Sequence, residues 1–74
     1  MKTEFAVILV DSTSHALCIE KYLLEGGLAC KLIPVPRHLS SDCGVCVRIL
    51  KEEAEDIRAM LEEHQIRFQS IEAA

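Results

Sequence analysis

Aromatic side chains are almost absent from this chain: two Phe, one Tyr and no Trp among 74 residues. Phe5, Tyr22 and Phe68 are too few to form a platform for stacked bases, and they leave the core to aliphatic residues. Cations are outnumbered as well, eight Lys and Arg against twelve Asp and Glu, for a formal net charge of −4. They are scattered rather than gathered in a stripe, which argues against nucleic-acid binding. No apolar run is long enough to span a membrane: Phe5–Val10 falls far short of about 20 residues. That run follows Glu4 rather than a basic leader, so no signal peptide is expected and the expected address is cytoplasmic.

Glycine and proline are also scarce, and their positions punctuate the chain. Gly26-Gly27 and Gly44 are the only glycines, and Pro34 and Pro36 the only prolines. Without linkers, repeats or low-complexity segments, residues 1–74 form a single domain. A domain this small buries only about 60% of its chain surface. Half of its residues are nevertheless hydrophobic, which points to a second buried surface and a homodimer. The four cysteines, lacking an export signal, are expected to be reduced rather than a disulfide framework.

The unbroken β-formers Phe5–Val10 predict a central strand. Asp11-Ser-Thr-Ser14 offers N-caps for a helix over Thr13–Glu25, which stops at Gly26-Gly27. Its apolar stripe is Ala16, Leu17, Ile19, Leu23 and Leu24, with Glu20 near the middle. A second strand is predicted over Leu28–Ile33, ended by the prolines. The third is Val45–Leu50, where Val45, Val47 and Ile49 alternate with Cys46, Arg48 and Leu50. A helix over Lys51–Glu63 and a strand over Ile66–Ile71 complete the chain. The order β-α-β-β-α-β predicts an α+β, ferredoxin-like sandwich: a four-stranded antiparallel sheet with two helices on one face.

That topology collects reactive side chains at one end. The connections Asp11–His15, Pro34–Cys43 and Glu63–Gln65 share an end of the sheet, and His15, His38, His64 and Cys43 lie in or beside them. The first helix also begins there, and its free N–H groups favour a thiolate. Cys43, with His15, Arg37 or His38 near it, is therefore the candidate nucleophile, and Gly44 leaves an approach path beside it. Cys43 and Cys46 form a Cys-x-x-Cys in which Cys46 is either a resolving thiol or a small apolar strand residue. Residues three apart on a strand face opposite ways, so pairing needs a turn at Cys43-Gly44. Glu20 on its apolar stripe needs a partner, and Arg48 or Arg37 is expected to supply it. Cys18 and Cys30 are expected to be ordinary buried residues, and Ser40-Ser41-Asp42 a turn.

Leu32-Ile-Pro-Val-Pro-Arg37, Leu39-Ser-Ser-Asp-Cys-Gly44 and Arg48 resemble the selenium/sulfur (Se/S) carrier-like proteins of prokaryotes, long catalogued as a small domain of unknown function. Ser14-His-Ala-Leu17 and Glu20-Lys21 resemble the first helix of that family. The resemblance implies a carrier that holds sulfur or selenium on Cys43, with Ser41 in the matching Ser-x-Cys-Gly motif. It also implies a sulfur- or selenium-mobilising protein as partner; no cofactor is expected. The expectation is a carrier protein rather than a turnover enzyme.

Two rival readings belong to other classes. Zinc could be held by Cys43, Cys46 and His38 with a further histidine, although one Cys-x-x-Cys is a weak signature. A non-catalytic ligand-sensing or oligomerisation module is the other, since the fold hosts many roles.

Overall fold

The computed structural model describes residues 4–39 and 44–73. Its elements run β1 (Phe5–Leu9), α1 (Thr13–Glu25), β2 (Cys30–Pro34), β3 (Val45–Leu50), a 3-10 turn (Lys51–Glu53), α2 (Ala54–Glu63) and β4 (Ser70–Ala73). The sheet order is β2-β3-β1-β4, with every pairing antiparallel. This is the expected α+β sandwich, with β1 and β3 in the centre.

Alternation along the two central strands divides the apolar residues between two faces. Ala6, Ile8 and Val10 of the first, with Val47 and Ile49 of the third, meet Ala16, Ile19 and Leu23 of α1 and Ile57 and Leu61 of α2. All ten are buried. The opposite set, Val7, Leu9 and Cys46, forms a smaller buried cluster on the face without helices. Ile33, Val35 and Leu39 pack on it. Val35 and Leu39 belong to the connection after β2, so its described part lies over the upper half of the open face, the half where β2 ends and β3 begins.

The helix ends show why the elements stop where they do. Ser12 caps α1, its Oγ accepting from the His15 N–H at 3.3 Å. At the other end Leu28 N–H donates to the Leu23 carbonyl and Gly27 N–H to that of Leu24, with Gly27 at φ 77°. The same paired bonds close α2, from Ile66 to Leu61 and from Gln65 to Glu62. Here a glutamine occupies the left-handed position, at φ 56°.

Several boundaries and burials differ from expectation. The last strand begins at Ser70 rather than Ile66, because the Ile66 N–H is committed to the helix cap and Gln69 N–H joins the Leu9 carbonyl ahead of the paired run. Leu17 and Leu24 are about half exposed, at 50% and 54%, because only Ala16, Ile19 and Leu23 point at the sheet. Cys18 is exposed and Cys30 half-buried, where both were expected inside.

Candidate functional site

The end of the sheet singled out by sequence is real in the topology. Strands β1 and β2 finish there and β3 and β4 start there, as the pairs Leu9↔Ser70 and Pro34↔Val45 require. Asp11, just after β1, accepts a 2.6 Å hydrogen bond from the Gln69 side chain, tying two of the three connections together.

The third connection is shaped by its prolines. Val35 N–H donates to the Gly44 carbonyl at 3.2 Å, extending the β2–β3 ladder by one rung. Leu39 N–H then donates to the Pro36 carbonyl at 3.0 Å, so Pro36-Arg37-His38-Leu39 is a β-turn. Arg37 and His38 occupy its two corners and are exposed. Leu39 points the other way, onto the Val7–Leu9–Cys46 cluster. Gly44 is exposed, and a side chain added there would meet nothing within 4 Å. The two expected residues Cys43 and Ser41 lie outside the described residues.

Cys46 is fully buried on the open face, in the small cluster on which Ile33, Val35 and Leu39 pack, with its Sγ 4.0 Å from the Pro34 carbonyl oxygen. Any exchange chemistry at this sulfur therefore requires local opening of the structure around it. Cys30 faces the helices, where its Sγ donates to the Glu20 carbonyl at 3.7 Å. Burial, and secondarily the Glu20 carboxylate, raises this thiol above its ordinary value of 9.0. A thiol held protonated is a poor nucleophile.

The supporting residues do not all converge. His15 stands in the first turn of α1, and its Nδ1 is buried without a hydrogen-bond partner among the described residues. His64 instead packs its ring on Tyr22, 5.3 Å between centroids and two helical turns beyond His15. Arg48 lies four residues down β3 from Gly44, roughly 13 Å along the strand. The expected Glu20–Arg48 pair does not form. Helix α1 packs on the face of Val47 and Ile49, whereas Arg48 points to the opposite face and stacks over Phe5 at 4.2 Å. Glu20 is half-buried at the flank of α1 and has no ion pair among the described residues.

Among the described residues no three His, Cys, Asp or Glu side chains converge on a point that could hold a metal. No helix among them is long and apolar enough to cross a membrane.

A family model described as "Putative Se/S carrier protein-like" matches residues 5–72, nearly the whole chain. No curated protein and no solved structure matches.

Proposed function

The chain belongs to the Se/S carrier protein-like family, and we propose that it carries sulfur or selenium on Cys43. The observation that carries this reading is the family match, whose span of residues 5–72 includes that cysteine. The exposed Gly44 beside it in sequence and the proline-shaped turn before it are compatible with a thiol offered to another protein.

In the loading step the Cys43 thiolate attacks the outer sulfur of a donor persulfide. The donor S–S bond breaks, its thiolate leaves, and Cys43 gains one sulfur as a persulfide. Cys46 supplies a release step. Its thiolate attacks the inner sulfur of that persulfide, forming a Cys43–Cys46 disulfide while the cargo departs as hydrosulfide. A dithiol reductant from the partner system then restores both thiols. Burial of Cys46, in the cluster on which Val35 and Leu39 pack, keeps this release slow until docking opens the connection. Selenium follows the same sequence with the outer atom exchanged. The implied partner is a sulfur- or selenium-mobilising protein, and self-association through the part of the open face left uncovered belongs to the same reading.

The test is loading from a small-molecule persulfide donor, followed by intact mass. Wild type and Cys46→Ala gain the extra atom, and Cys43→Ser gains none while keeping its circular dichroism. Equal loading of Cys43→Ser would end the proposal.

A further inference from the structure

The lower half of the open sheet face holds a feature for which the carrier chemistry has no use. Lys31 on β2 and Arg48 on β3 are register partners, so two cations stand opposite each other on neighbouring strands of an acidic chain. Like charges in that relation destabilise an antiparallel pair. Among the described residues neither cation has an ion-pair partner. The carboxylate in the same row, Glu72, is on β4 with Val7 between it and Arg48, two strand spacings or roughly 10 Å away.

The surroundings make this more than a solvated pair. Arg48 places its guanidinium carbon 4.2 Å from the centroid of the Phe5 ring, a cation–π contact that holds the guanidinium over the ring. An arginine held this way offers the edge of its planar fork to two oxygens at once. A cleft of about 210 Å³ opens against the pair, with Phe5, Ala29, Ile49 and Leu50 as apolar wall beside Cys30, and no acidic residue among the described residues that line it. A water takes about 30 Å³, so the space suits a small organic molecule rather than a lone ion.

We propose that this cleft binds a small organic carboxylate, its oxygens between Arg48 and Lys31 and its apolar body against Phe5 and Leu50. The carboxylate relieves the cross-strand repulsion, and the apolar wall discriminates in favour of an organic acid over an inorganic anion. The site needs neither Cys43 nor Cys46, so it stands apart from the carrier chemistry, and ligand and a second copy of the chain would compete for this uncovered part of the face.

The test is an amide chemical-shift titration of the full chain with benzoate as probe, and with inorganic phosphate at matched ionic strength. Saturable shifts are expected at Phe5, Ala29–Lys31 and Arg48–Leu50, with a Kd of about 1 mM for benzoate and weaker binding of phosphate. Arg48→Gln and Lys31→Gln each weaken benzoate by about tenfold. Lys31 is exposed, so its replacement leaves the fold intact even if that of Arg48 does not. Shifts that fail to saturate, persist unchanged in Lys31→Gln, or are matched by phosphate overturn the proposal.

Discussion

Leu39→Ala separates a covered Cys46 from an accessible one. Leu39 is half-buried against Val7, Leu9 and Cys46. Full burial makes a Leu→Ala change cost about 2–5 kcal/mol, so a half-buried leucine is worth about 1–2 kcal/mol. None of that loss falls on the main core, which lies across the sheet. It should appear as easier local opening of the connection, and 1.4 kcal/mol corresponds to a factor of about ten. In a background of Cys18→Ala, Cys30→Ala and Cys43→Ser, the remaining thiol is Cys46. Its alkylation under native conditions is expected to accelerate by about 5–30-fold in Leu39→Ala, since labelling tracks the open population when reclosing is fast. Leu24→Ala, at the 54% exposed position on the outer side of α1, is the control and should leave the rate unchanged. A Leu39→Ala rate within about twofold of the parent would show that the connection does not govern access to this sulfur.

Two further outcomes follow from the backbone and from Cys30. Gln65→Gly removes a left-handed L-residue, worth about 1–2 kcal/mol, against about 0.5–1 kcal/mol of added unfolded-chain freedom. A net gain of about 0.5–1 kcal/mol, or about 2–8 °C in Tm, is expected by calorimetry, and a fall in Tm would contradict the cap geometry. The Cys30 thiol is raised in the folded state above its ordinary value of 9.0, so the unfolded chain loses this proton first. Its contribution is complete below that ordinary value and declines as pH rises through the folded one. Urea midpoints measured from pH 8 to pH 10.5 should therefore fall more steeply for wild type than for Cys30→Ala, and parallel profiles would refute the assignment.

The parts of the fold that were legible in sequence are those set by local chemistry. Ser12 and Gly26-Gly27 bound α1 at Thr13–Glu25, and strict alternation bounds β3 at Val45–Leu50. The parts that were not depend on distant partners. Nothing between Ile66 and Gln69 signals that these residues close a helix cap and bridge to Leu9 before pairing begins. Helical spacing made Leu17 and Leu24 look inward, but a helix lying on a sheet buries a narrower stripe than a bundle helix does. Packing of Leu39 on the Val7–Leu9–Cys46 cluster joins a loop to a strand face, which no periodicity records. The absence of a Glu20–Arg48 pair was recoverable. Arg48 alternates with Val47 and Ile49, so a helix covering those two cannot reach it. The Lys31–Arg48 juxtaposition required the β2–β3 register, which the long intervening connection hides.

The carrier reading is tested most directly by protein purified from its own cells without added thiols, digested and analysed by fragment mass. The account predicts one extra sulfur or selenium on the peptide containing Cys43 and none on those containing Cys18 or Cys30. An extra atom found only on another cysteine, or an unmodified Cys43 that also refuses a persulfide donor, would contradict it.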